Sequence, residues 1–153
     1  MYEDKYTLED YITKKFKVYE VKNNIAFVSL LDSLIDTIQS YPRIRNLQIC
    51  FTLLAINENR NTIIDIELYD YKHNDVLLSY DTDALFFYRG YIFMYYGKLF
   101  NDFFIDTNTY VERNCIKPIE NYFIDDSVYH LIYWSYVYKN NKFNLVDFSE
   151  SYD

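Results

Sequence analysis

Residues 23–42 read NNIAFVSLLDSLIDTIQSYP and residues 47–56 read LQICFTLLAI, and the change of period between the two decides the fold class. In the first, Phe27, Leu30, Leu31, Leu34, Ile35 and Ile38 recur at helical spacing, with Ser29, Asp32, Ser33, Asp36 and Gln39 between them. Such a stripe marks an amphipathic helix with one apolar side laid on something flat. Asn23-Asn24 offers a cap and Pro42 a stop, which predicts a helix from about Asn24 to Ser40. Leu31, Leu34, Ile35 and Ile38 should be buried, and Asp32, Asp36 and Gln39 exposed. The second segment is almost wholly apolar and predicts a central strand covered on both faces.

Beyond Ile56 the period is two. Asn57 to Asn61 is a turn cluster, and Ile64, Ile66 and Leu68 then alternate with Asp65, Glu67 and Tyr69, as a half-exposed strand does. Lys72 to Asp75 reads as a turn, Val76 to Tyr80 as a strand, and Asp81-Thr82-Asp83 as a break. Leu85–Tyr88 and Tyr91–Tyr96 flank Arg89-Gly90, a tight hairpin in which Gly90 supplies the left-handed conformation. Val128–Lys139 and Lys142–Phe148 flank Asn140-Asn141, a second two-residue turn. That turn sets Tyr138 across from Phe143 and Tyr136 across from Leu145. Leu99 to Phe104 fits a helix or a strand, and Thr107 to Asn121 a loop or a short helix.

Before the long helix, Thr7-Leu8-Glu9-Asp10 has the form of a capping box, and Leu8, Tyr11, Ile12 and Phe16 predict a short helix from Leu8 to Phe16. Val18 to Lys22 reads as a short strand or a linker. The expectation is an α+β domain spanning residues 1–153, with one or two N-terminal helices packed on a curved antiparallel sheet, a meander of hairpins. In element order alone this resembles cystatin-like and nuclear-transport-factor-like folds; no residue carries over from them.

The 153 residues hold 23 acidic against 15 basic side chains, a net charge of -8, with 19 Tyr, 12 Phe, only 2 Gly and 2 Pro. Codons rich in A and T explain most of that bias, so the tyrosines alone do not argue for an aromatic binding surface. They do imply a core of large rings in which each buried hydroxyl needs a partner. No apolar leader and no run of ~20 apolar residues is present, which predicts a cytoplasmic protein with no membrane partner. Cys50 and Cys115 are too far apart for a zinc or redox pair and read as reduced structural thiols.

Several chemistries are disfavoured. Gly90 and Gly97 are the only glycines, and they cannot build a phosphate-binding loop. The acidic balance and the short basic clusters, Lys14-Lys15-Lys17 and Arg43 with Arg45, are a poor footprint for nucleic acid. His73 falls in a turn and His130 in a strand, neither beside a nucleophile motif. The paired acids Asp65 with Glu67 and Asp81 with Asp83 lack a third ligand, so no metal and no cofactor is expected.

A small acidic chain without a catalytic constellation fits a protein-binding module. The partner expected is another protein with a basic surface, as for immunity-type inhibitors or viral and phage counter-defence proteins that block a nucleic-acid-handling target. Asp32 and Asp36, Asp65 and Glu67, and Asp81 with Asp83 are the places where the acidic surface would form. The alternative is a small-ligand or enzymatic domain whose sheet encloses a pocket lined by His130, Tyr133, Trp134 and Tyr136. A structural subunit of a virus or mobile element is the third reading.

Overall fold

In the computed structural model, which describes residues 15–45, 49–70, 83–112 and 131–150, the long helix α1 runs over Ile25–Gln39. Its boundaries follow from capping. The Asn24 side chain accepts a hydrogen bond from the Phe27 amide at 3.1 Å, and the Ser40 hydroxyl donates to the Thr37 carbonyl at 2.6 Å. Phe27, Leu30, Leu31, Leu34, Ile35 and Ile38 are buried, the stripe that the periodicity marks. Pro42 ends α1 by opening a one-turn helix of its own, α2 (Pro42–Arg45), where its missing N–H costs nothing.

The rest is sheet. Eight strands are described: β1 (Lys15–Val21), β2 (Ile49–Glu58), β3 (Asn61–Asp70), β4 (Ala84–Tyr88), β5 (Tyr91–Gly97), β6 (Phe104–Glu112), β7 (Ile132–Lys139) and β8 (Lys142–Glu150). A second short helix, α3 (Phe100–Phe103), precedes β6. All eight form one sheet in the order β6-β1-β4-β5-β2-β3-β7-β8. The expected antiparallel meander is therefore corrected to a mixed sheet, because β1 lies parallel to β4 and β2 parallel to β5. Alternation within a strand assigns its faces and is silent about its neighbours. Here α1 carries the chain from β1 across to β2, and the β4–β5 hairpin fills the space between them.

Other expectations change locally. Lys15 and Phe16 begin a strand rather than end a helix, and Val18 continues it. Residues 8–14 of the expected helix, the turn and strand expected over 72–80, and 113–121 of the expected loop lie outside the described residues. Thr107 to Glu112 is strand, not loop or helix. Ile105, Thr107 and Thr109 alternate there, but an exposed edge strand has too few apolar residues to show a period. Leu99 to Phe104 resolves into α3 and then β6. In β2, Ile49, Cys50 and Phe51 are buried in succession, as a doubly covered strand requires, whereas Leu54 and Ile56 are exposed, so cover on the second face ends midway.

The core is built of rings. Phe27 stacks on Phe103 at 4.2 Å and reaches Phe86 of β4, Tyr95 of β5, Phe104 of β6 and Phe143 of β8, all within 6.4 Å. Phe51, Phe93 and Phe86 form a second stack, with centroids 4.4 and 4.9 Å apart. Behind the sheet a smaller cluster joins Cys50, Leu85 and Met94.

Three hairpins turn on paired left-handed residues: Asn59-Arg60, Arg89-Gly90 and Asn140-Asn141. The last sets Tyr138 opposite Phe143 and Tyr136 opposite Leu145, as expected. Gly97 is a harder requirement. Its φ is +103°, and a Cβ there would lie 2.0 Å from the Ala55 carbonyl oxygen.

Leu34→Ala is expected to lower the unfolding free energy by ~2–5 kcal/mol in a chemical denaturation curve. Asn141→Gly should be neutral or slightly stabilising, because glycine takes the left-handed conformation without strain. Gly97→Ala should cost more than about 1 kcal/mol in the same assay, since backbone must move.

Candidate functional site

Burial of Ile64, Ile66 and Leu68 against α1 turns Asp65, Glu67 and Tyr69 of β3 to the opposite side of the sheet, here the outer face. Register then chooses their neighbours. Asp65 is opposite Ser135 and Glu67 opposite Tyr133 on β7, and Ser135 is in turn opposite Asp147 on β8. Directly opposed residues share a face, so three carboxylates and two tyrosines lie together on adjoining strands.

Hydroxyls hold two of those carboxylates. Asp65 Oδ1 accepts from Ser135 Oγ at 2.7 Å and from the Tyr133 hydroxyl at 3.2 Å. Glu67 Oε1 accepts from the Tyr69 hydroxyl at 2.7 Å. Burial first, then the hydrogen bond to Glu67, pushes the Tyr69 phenol well above its ordinary range. Burial likewise raises Tyr133, opposed by a hydrogen bond with Ser135 and aided by Asp65. Both phenols therefore stay protonated as donors.

The remaining predicted acids stand elsewhere. Asp32 and Asp36 lie on α1 at the β4–β5 turn, where Arg89 Nη1 is 3.2 Å from Asp32 and 3.6 Å from Asp36. The Tyr88 hydroxyl also donates to Asp32 at 2.9 Å. Asp32 is thus half-covered and engaged, where an exposed position was expected; Asp36 and Gln39 are exposed. Asp83 ties the open end of the β4–β5 hairpin: its carboxylate accepts the Gly97 amide at 2.6 Å, and its own amide donates to the Tyr95 carbonyl at 3.0 Å. Asp81 lies outside the described residues. The five described acids therefore do not converge, and of them only Asp65 and Glu67 stay together on the outer face.

Of the expected pocket residues, Tyr133 parts from Trp134 and Tyr136. Trp134 is buried between Phe51 at 6.2 Å and Phe148 at 6.1 Å. Tyr133 faces the other way, and His130 and His73 lie outside the described residues. Tyr136 alone lines a cavity, an open cleft of about 770 Å³ between the start of α1 and the β7–β8 hairpin. Asn24, Ser29, Ser33, Lys142 and Phe143 line it too. Burial raises the Tyr136 phenol, and a hydrogen bond with Ser33 opposes the rise.

Among the described residues no three His, Cys, Asp or Glu side chains are placed to hold a metal ion, and no helix is long and apolar enough to cross a membrane. Cys50 is buried. Sequence reasoning missed Ser135, Asp147 and Arg89. The turn at Asn140-Asn141 fixes the register only as far as Leu145; beyond it one extra residue in β8 brings Asp147 opposite Ser135. Arg89 carried no signal beyond its place in a turn. No protein-family model, curated protein or solved structure matches this chain.

Asp83→Ala is expected to lower stability by about 1 kcal/mol through loss of its hydrogen bond to Gly97. Asp36→Ala should stay within about 0.5 kcal/mol, the range of an exposed surface change. Paired thermal melts separate the two.

Proposed function

We propose that this chain is a small acidic protein-binding module, acting in a cytoplasm, that occupies a basic surface on a partner protein. The reading extends to inhibitors of the immunity or counter-defence kind, which block a target that handles nucleic acid. The observation that carries it is the outer face of β3, β7 and β8, where Asp65, Glu67 and Asp147 adjoin Tyr69 and Tyr133. Fixed carboxylates lose little side-chain freedom on binding, and half-buried tyrosines supply contact area beside them. Negative potential on such a face speeds encounter with a positive one.

A filled inner face supports the same reading. Phe27 contacts Phe104 on one edge strand and Phe143 on the other. A flat sheet of this width would hold its edges roughly 30 Å apart at the usual strand spacing. We infer that the sheet curves around α1, which takes the space where an enclosed ligand would sit.

The second reading, a small-ligand or enzymatic domain, draws its support from the cleft beside Tyr136, whose volume is in the range of ligand sites.

The double variant Asp65→Asn with Glu67→Gln removes both charges and keeps both acceptors for Ser135, Tyr133 and Tyr69. Basic proteins captured by the wild type from an extract of the native host should be lost by this variant. Association with the purified partner should slow roughly tenfold at low salt and less at high salt. Capture of the same proteins at the same rate overturns the proposal. If His130→Ala alone abolishes activity in a folded protein, the ligand reading takes its place.

A further inference from the structure

β8 is an edge of the sheet, and among the described residues no strand pairs with its free side. Unpaired backbone groups along an edge are a template for another strand, and proteins usually blunt them. β8 is only partly blunted, by its bulge at Val146 and by the charges of Lys142 and Asp147. Leu145 is 52% exposed, Val146 59% and Phe148 40%, so three apolar side chains lie open along one strand. The opposite edge, β6, is protected by contrast. Asn108 breaks its middle with a φ of 56°, and Asp106 is engaged by Lys17 at 2.6 Å.

The charge along β8 says what would fit there. Lys139 and Lys142 are directly opposed across the β7–β8 turn, a like-charge pair that neighbouring carboxylates would relieve. Neither lysine makes an ion pair among the described residues. Asp147 and Glu150 lie at the far end, where Glu150 also accepts from the Tyr41 hydroxyl. The extra residue of β8, Val146, divides the strand into a half with the lysine and a half with the acids.

We propose that β8 pairs antiparallel with the β8 of a second copy of this chain. A two-fold axis near Val146 exchanges the two halves, so each lysine end meets the other copy's carboxylate end. Leu145, Val146 and Phe148 then cluster at the axis. Such an interface is isologous and closed, and it yields a dimer rather than a fibre. Parallel pairing would set lysine beside lysine and acid beside acid. This inference shares Asp147 with the acidic outer face but does not rest on the function proposed for that face, and its test reads mass rather than partner capture.

Two kinds of variant test it by sedimentation equilibrium of the full chain. In a two-residue hairpin, Lys139 and Lys142 form the hydrogen-bonded pair, so Leu145 directs its N–H away from β7. Leu145→Pro thus removes a donor from the free edge alone, a position where proline is tolerated. The wild type should approach twice its 18.7 kDa as concentration rises toward about 100 μM, and Leu145→Pro should raise the dissociation constant at least about tenfold. The charge variants address orientation. Lys142→Glu and Asp147→Lys should each lose self-association, and an equimolar mixture of the two should form a heterodimer, since only the mixture sets acid against base at both ends.

A wild type that stays monomeric throughout overturns the proposal, including one that takes up a partner's extended segment on β8 instead. A dimer that Leu145→Pro and both charge variants leave intact overturns it as well, because the contact then lies elsewhere. A mixture that stays monomeric excludes the antiparallel arrangement.

Discussion

The contact on which the structure depends is the Phe27 ring. It stacks on Phe103 and touches rings from β4, β5, β6 and β8. Phe27 sits in the first turn of α1, so the Asn24 cap that starts the helix also sets the height of the ring over the sheet. Local capping and distant packing are thereby coupled. A helix begun one residue later would rotate the Leu30, Leu34 and Ile38 stripe by about 100° relative to its seat. The Lys22 amide donates to the Phe103 carbonyl at 2.7 Å and holds the two chain segments that flank the stack together.

Polar groups are arranged around this centre so that few are idle. The scarcity of glycine leaves Asn59, Arg60, Arg89, Asn140 and Asn141 to take left-handed turn positions. Arg89 gains a use from its position, because the turn carries it over Asp32 and Asp36. Asp83 and Gly97 form the counterpart at the other end of the same hairpin. A chain with a net charge of -8 thus engages two acids of its helix and one beside β4 in contacts of its own, and pairs Asp65 and Glu67 with hydroxyls on the outer face of β3 and β7.

What was legible in the sequence was what a period or a turn specifies. The α1 boundaries, its buried stripe, the alternation of β3 and the turns at Arg89-Gly90 and Asn140-Asn141 all depend on residues within a few positions of one another. Order in the sheet does not. Nothing in LQICFTLLAI tells that Phe51 will lie beside Phe93 in a parallel pair while facing Leu68 in an antiparallel one. The site shows the same division. Asp65 and Glu67 share a face because they are two apart, which alternation alone predicts. That Ser135 and Tyr133 hold them required the β3–β7 pairing, made across 60 or more residues of sequence. Asp83 is exposed as expected, but its bond to the Gly97 amide was not legible, because it depends on where Gly97 comes to rest, 14 residues on.

The global charge and the open edge pull in opposite directions. Two chains that each carry -8 repel at long range, and that repulsion ordinarily keeps an acidic protein monomeric. Screening confines it to ~8–10 Å near physiological salt, so at contact the local charges decide. Along β8 those charges are not uniformly negative: Lys139 and Lys142 concentrate positive charge at the end where it meets the carboxylates of an antiparallel copy. The same strand carries Asp147 onto the acidic outer face, since Asp147 lies opposite Ser135. A dimer through β8 would therefore extend that face across the two-fold axis and double the negative surface offered to a basic partner. Salt would then act on the two interactions with different force. Pairing through β8 would lose only its lysine–carboxylate contacts to ionic strength and keep its backbone hydrogen bonds and apolar contacts, whereas capture of a basic partner by carboxylates alone would weaken throughout.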